Sequence, residues 1–342
     1  MDLHRSLGIE WPVIQAPMAG VQLGALTIAV CQAGGLGSLP CAMLDAAAIR
    51  REIGAIRAAT ARPFNLNFFC HTPPVPDARR EAAWRSALAP YYREFGLDIE
   101  AVPAGPGRNP FDAASAALVE ELRPEVVSFH YGLPDEALLQ PVRASGARIL
   151  ASATTVEEAL WLEQRGVDGV IAQGLEAGGH RGQFLSSDLS RQLGTFALLP
   201  QIVRAVKTPV IAAGGIADRA GAEAALRLGA SMVQVGTAYL CCPEATTSAI
   251  HRQALTSEAA RHTALTRLIT GRPARGIVNR LIREVDDASA PEFPLATAAI
   301  GPLRAAAEAR GSGDFSPLWC GQNASGCKTI PAGEVTRALA GV

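Results

Sequence analysis

The chain has 342 residues, with 31 basic against 32 acidic side chains and a formal net charge of −1, which excludes the basic surplus of a nucleic-acid binder. Hydrophobic residues make 49% and charged residues 18%, which excludes a disordered chain and leaves ample material for a core. The seven cysteines are odd in number, contain no C-x-x-C and include the adjacent Cys241–Cys242, so neither a zinc site nor a disulfide framework is indicated and the pattern fits the reduced thiols of a cytoplasmic protein.

From the amino terminus, Met1–Arg5 lacks the charged-then-apolar pattern of a signal peptide. Trp11 to Leu44 carries no charge, but Pro12, Pro17, Gly20, Gly24, Gly34, Gly35, Gly37 and Pro40 interrupt it. A membrane span would be one continuous apolar helix, so the stretch reads as two strands with a helix between them in a soluble protein. Short apolar runs ended by Gly or Pro then mark eight buried strands: 12–19, 35–39, 63–69, 125–130, 147–153, 169–173, 209–213 and 232–236. Helical patterns lie between them at 45–59, 112–122, 135–144, 154–165, 198–206 and 218–228. Asp45, Asp112, Asp135 and Asp218 stand where helix caps are expected. Thr154–Glu157 and Thr155–Glu158 both read as capping boxes.

Eight alternating β–α units predict a (β/α)₈ TIM barrel within residues 1–240, with a doubly wound sheet as the alternative. Two connections exceed a bare crossover. Residues 70–111 add a helix near 78–95 and a Gly/Pro-rich loop, Pro103–Pro110, after strand three; Glu176–Thr195 forms a polar, Gly-rich cover after strand six. Residues 241–342 read as a mostly helical cap on the substrate side, outside the barrel wall.

In such barrels chemistry sits at the carboxyl ends of the strands. Those ends carry QAPMAG at 15–20, Asn65 and Asn67, Ser128-Phe129-His130, Gln173-Gly174, Gly214-Gly215 and Gln234-Val235-Gly236-Thr237. The glycines after strands seven and eight suit a phosphate cradle, because they let backbone N–H groups approach oxygens; tight turns alone would also explain them. No GxxxxGK[ST] loop is present, and Gly35-Leu36-Gly37 lacks the third glycine of a dinucleotide fingerprint.

Seven blocks in order, QAPMAG (15–20), RPFNLNFFCH (62–71), SFHYGLP (128–134), VDGVIAQGLEAGGHRG (167–182), VIAAGGIAD (210–218), QVGTAYL (234–240) and GRPARGIVNRL (271–281), cover nearly the whole chain. In these the chain resembles the nitronate monooxygenases, the FMN-dependent TIM barrels formerly called 2-nitropropane dioxygenases. Val21-Gln22-Leu23 departs from the short Ser/Thr-containing run expected after the first block.

The resemblance implies that Asn67 and Gln173 bond the polar edge of the flavin and that Gly178 and Gly179 let backbone pass close to it. It further implies that Gly214, Gly215, Gln234, Val235, Gly236 and Thr237 hold the FMN phosphate, and that Met18 lies near the ring. His130 would hydrogen-bond an alkyl nitronate and act as base toward a neutral nitroalkane, a task suited to a group titrating near neutrality. Without the resemblance, a histidine there is more often a buried structural residue satisfied by backbone. The implied reaction consumes O₂ and yields a carbonyl compound and nitrite through a flavosemiquinone.

His180 could contact flavin or substrate or simply face water. Arg272 and Arg275 could attract an anion or begin a salt-bridged helix. Trp319–Asn323 could fold back to the pocket or pack within the cap. His4, His71, His251 and His262 have no chemical context, and no HExxH or other ligand spacing points to a metal. The expected partners are a small nitronate and O₂, without nucleic acid or membrane, for a monomer or homodimer. The alternatives are an FMN-dependent enoyl-ACP reductase-like enzyme using NAD(P)H and a phosphosugar lyase or isomerase barrel.

Overall fold

The computed structural model describes residues 3–102, 108–286 and 290–342. Residues 103–107 of the expected Pro103–Pro110 loop, and Met1 and Asp2 of the amino-terminal stretch, lie outside the described residues. Eight parallel strands form the barrel: β1 (Val13–Gln15), β2 (Gly37–Pro40), β3 (Phe64–Phe69), β4 (Val126–His130), β5 (Arg148–Ala153), β6 (Gly169–Gln173), β7 (Val210–Ala213) and β8 (Met232–Val235). They pair in sequence order from β2 round to β8, and β8 pairs with β1. The bridge Ile14↔Leu36 brings β1 back beside β2 and closes the ring. The chain is a (β/α)₈ barrel. β1 is shorter than the run 12–19, because beyond Gln15 the chain turns over the mouth.

Side-chain alternation sets what the barrel encloses. Val13, Leu66, Val127, Val170, Val233 and Val235 face outward into the core shared with the helices. Ile14, Leu36, Val126, Leu150, Ile171, Ile211 and Met232 face inward as an apolar plug, sealed below by Leu3, Leu7 and Ile9. Two residues further along several of these strands the inward positions turn polar: Ser38, Ser128, Ser152, Gln173 and Gln234. The barrel is therefore dry at its amino-terminal end and polar at its mouth.

The helices begin where their caps stand. The side chains of Asp45, Asp112 and Asp218 accept from Ala48, Ser115 and Gly221 N–H, whereas Asp135 makes no side-chain cap bond. Of the two possible capping boxes, the second supplies the cap alone: Thr155 accepts from Glu158 N–H at the start of Val156–Gln164. The buried Glu158 carboxylate reaches back to Thr154 N–H (2.7 Å) and hydroxyl (2.8 Å), and also takes Phe184 N–H (2.6 Å) and Leu185 N–H (3.1 Å). One carboxylate so ties a helix start to the cover loop.

The inserted helix spans Ala78–Phe95, capped by Asp77 and ended by Gly96 at φ +69°. It packs with Thr297–Ala309 around Trp84, Leu88, Ile300 and Leu303, a second core beside the barrel. The carboxy-terminal region differs from the sequence expectation in two ways. It contains an antiparallel pair, Thr263–Thr266 and Ala274–Ile277, to which Gly179–His180 of the cover adds a third strand. The last helix, Ala332–Ala340, does not belong to a cap. It packs on helices Gly24–Gln32 and Arg219–Arg227 beside β1, filling the eighth helix position of the barrel wall. Its alternation had no neighbouring strand to mark it, because the cap intervenes between β8 and its helix. Among the described residues no helix is long and apolar enough to cross a membrane.

Candidate active site

The loop after β1 is shaped from below by two buried glutamines. Gln15 and Gln22 hydrogen-bond each other; Gln22 also takes Met18 N–H (3.1 Å) and donates to Ser38 O, while Gln15 takes Ser38 N–H (3.1 Å). The departure Val21-Gln22-Leu23 thus supplies the side chain that fixes the turn carrying Met18.

All twelve residues singled out from the sequence, Met18, Asn67, His130, Gln173, Gly178, Gly179, Gly214, Gly215, Gln234, Val235, Gly236 and Thr237, border one cavity at the barrel mouth. It encloses about 1320 Å³ of atom-free space with its open mouth included. Among the described residues lining it there is no carboxylate, and Arg108 is the one permanently charged side chain.

The turns after β7 and β8 form a cradle. Gly214 and Gly215 have φ +115° and +74°, a region open to glycine. Among the described residues the backbone N–H groups of Gly214, Gly215, Gly236 and Thr237 find no acceptor within the protein. A Cβ on Gly236 would reach Ala16 Cβ at 3.4 Å and Met18 Sδ at 3.5 Å, so space at this turn is tight but not blocked. The Thr237 hydroxyl oxygen accepts from Gly321 N–H at 3.0 Å, leaving its own hydrogen for another acceptor. Val235 contributes only backbone, since its side chain lies in the outer core. Gln234 faces inward, and its Oε1 is buried without a donor. Phosphate oxygens only accept, so this atom suits a ring N–H and not the phosphate.

Asn67 donates to Ser128 Oγ (3.0 Å) and O (3.2 Å), which turns its carbonyl oxygen to other partners. Gln173 is engaged at both ends: it donates to His180 O (3.0 Å) and accepts from Gly182 N–H (2.8 Å). One N–H of its amide remains for a ligand.

His130 ends β4 beneath the cover. Its Nδ1 lies 3.0 Å from Ser152 Oγ and its Nε2 3.3 Å from His180 O. A carbonyl only accepts, so Nε2 carries the proton and Ser152 donates to Nδ1. Burial, reinforced by the Arg272 charge, lowers His130 to about 3. This corrects the expectation of a group titrating near neutrality: the imidazole is neutral throughout the physiological range. The residue before the next turn is strained, Tyr131 having φ +72°, and a Cβ on Gly182 would come within 2.8 Å of His130 Cε1. That glycine lets the cover lie on the imidazole.

His180 is part of the cavity wall and not an exposed loop residue. Its Nε2 meets Thr270 Oγ at 2.8 Å, and its ring packs against Phe293 and Trp319, with centroids 5.4 and 5.5 Å away. Burial first, then Arg108, holds it well below its usual pKa. His251, also lining the cavity, is lowered to about 4 by burial. The arginines of GRPARG do not begin a helix. Arg275 is buried on strand Ala274–Ile277 and donates to Leu175 O (2.9 Å), and Arg272 stacks 3.8 Å over the Tyr131 ring.

The segment Trp319–Asn323 folds back over the cradle. Gln322 N–H donates to Glu176 O (2.9 Å), and Asn323 donates to Gly215 O (3.2 Å). A Cβ on Gly178 would lie 2.5 Å from Gly321 N and 2.6 Å from Cys320 C. The glycine at 178 is therefore required by the strap itself, while nothing lies within 4 Å of a Cβ on Gly179. Sequence reasoning did not find Arg108, Ser152 or Gly182. Ser152 had a signal, a polar residue on the inward face of β5 two positions past Leu150. Arg108 had none, being in a loop without periodicity.

The family model for nitronate monooxygenase matches residues 2–340. A nitronate monooxygenase of Paraburkholderia phytofirmans is 44% identical over 341 residues, covering 97% of this chain and 92% of that protein. Among solved structures, nitroalkane oxidase from Streptomyces ansochromogenes superposes with a TM-score of 0.89 at 37% identity, over 99% of this chain and 97% of that one. A FabK variant from Thermotoga maritima is more distant, with a TM-score of 0.72 and 26% identity over 98% and 93% of the two chains.

Proposed function

Because the chain belongs to the nitronate monooxygenase family, we propose that its barrel mouth holds FMN and that it oxidises alkyl nitronates with O₂ to carbonyl compounds and nitrite. It is an oxidoreductase of the monooxygenase kind. The observation that carries the substrate reading is one cavity joining four unused backbone N–H groups to a single permanent positive charge, Arg108, among neutral side chains.

FMN, when bound, would supply the electron acceptor for the nitronate and the chemistry toward O₂. The N–H groups of Gly214, Gly215, Gly236 and Thr237, with the Thr237 hydroxyl, hold its phosphate. Asn67, the free N–H of Gln173 and the orphan oxygen of Gln234 take the polar edge of the ring, with Met18 as an apolar neighbour. Gly179 lets the ring approach the cover backbone.

Arg108 neutralises the anionic substrate, which no carboxylate in the cavity repels. His130 gives its Nε2 hydrogen to a nitronate oxygen. Its bond to His180 O, at 3.3 Å, is longer than usual and easily exchanged. Its lone pair is occupied by Ser152 and its basicity is low, so proton abstraction from a neutral nitroalkane is the minor route. The substrate is itself the reductant, and NAD(P)H has no part in turnover. We assign the protein to the cytoplasm, as a monomer or homodimer; seven free thiols support the location.

Supplying ethyl nitronate in air without NAD(P)H should release nitrite and acetaldehyde in equal amounts. Turnover that requires NADPH and ignores the nitronate would replace this reading with the reductase one.

A further inference from the structure

A second chamber adjoins the cavity, and the two share Ala19, Val21, Arg108, His251 and Trp319 as a common wall. Beyond that wall the chamber runs beneath helix Thr297–Ala309, with about 1560 Å³ of atom-free space counted with its open side. Ile269, Ile300 and Leu318 form buried apolar parts of its lining. Ala298, Pro302 and Ala305 line it from the helix, and the Arg304–Glu308 pair, 2.7 Å apart, adds a polar patch to the lining. Arg108 reaches both spaces while its guanidinium holds Thr297 Oγ at 3.1 Å.

A cation at the junction, with a reaction cavity on one side and an apolar chamber on the other, matches a molecule with an anionic head and a hydrocarbon tail. We propose that the chamber takes the alkyl chain of the substrate, so that the enzyme favours unbranched nitronates of several carbons over the smallest ones. This rests on the nitronate reading above and adds the chain to it. Small residues at positions 298 and 305 leave the width that a chain needs. Each methylene moved from water into the chamber contributes about fourfold, the equivalent of about 0.8 kcal/mol.

The test is kcat/KM for the unbranched nitronates from ethyl to hexyl, in the native holoenzyme and in Ala298→Phe. The native series should rise on the order of a hundredfold, four methylenes at the fourfold step, and the rise should shrink below about tenfold in the variant as the new ring fills the chamber. Ala305→Phe, at an exposed position on the same helix face, repeats the test should Ala298→Phe not fold. A flat native series overturns the proposal, as does a rise that survives both substitutions. If no nitronate of any length yields nitrite, the nitronate reading falls and this one with it.

Discussion

Arg108 and His130 divide the work at the residue scale, one by charge and one by a hydrogen atom. Arg108→Gln should raise KM for a nitronate between roughly tenfold and a hundredfold, the loss of one charge-assisted hydrogen bond, with kcat changed far less. Arg108→Lys should recover part of it. Equal loss of kcat in both variants would show that Arg108 does more than bind. His130→Ala should lower nitrite release while the protein still binds its cofactor; apoprotein would instead make His130 structural. Because His130 is lowered to about 3, the profile of kcat/KM with preformed nitronate should show no enzyme limb near pH 6.5. Much of this was legible beforehand, since the chemistry-bearing side chains stood at strand ends. What was not legible was the protonation of His130. That depends first on burial and then on the Arg272 charge, which comes from a segment distant in sequence.

The two elements closing the site are the cover and the carboxy-terminal strap, and glycines decide how they meet. Gly178→Ala should destabilise by about 1–3 kcal/mol, as an overpacked contact does, and loosen the strap. Gly179→Ala meets no atom and carries only the strain of its φ of +71°, so a melting curve should rank the two in that order. Gly236→Asp adds a Cβ that meets only ordinary contacts, the nearest at 3.4 Å, and sets a carboxylate against the phosphate cradle. It should fold and lose its flavin; full occupancy would refute the cradle. The sequence marked these glycines, but it could not tell a glycine needed for ligand approach from one needed for a neighbouring strand. At Gly178 the close neighbour is Cys320–Gly321, which arrives from over 140 residues away in the chain.

For the whole molecule, four buried or half-buried histidines are kept neutral by the fold. His71 and His251 are each lowered to about 4, His130 to about 3, and His180 well below its usual value, burial leading in every case. The unfolded chain binds these protons near pH 6.5, so between pH 6.5 and about 4 it carries more of them than the native state. Stability is therefore full above pH 6.5 and falls as the pH drops through that window. Thermal melts should show Tm declining steadily from pH 7 to pH 4; a constant Tm would mean that the histidines are not held neutral together. The barrel as a whole was readable because eight apolar runs punctuated by glycine and proline admit few other closed arrangements. The place of Ala332–Ala340 in its wall was not, because a hundred residues of cap separate it from β8.

The most direct measurement of the central claim is the visible spectrum of the purified protein under anaerobic conditions, before and after one addition of a nitronate. A yellow oxidised-flavin band that fades on mixing and returns with air is the predicted result, with FMN recovered on denaturation. A colourless protein that takes up no FMN, or a band that nitronate leaves unchanged while NADPH bleaches it, would contradict the account.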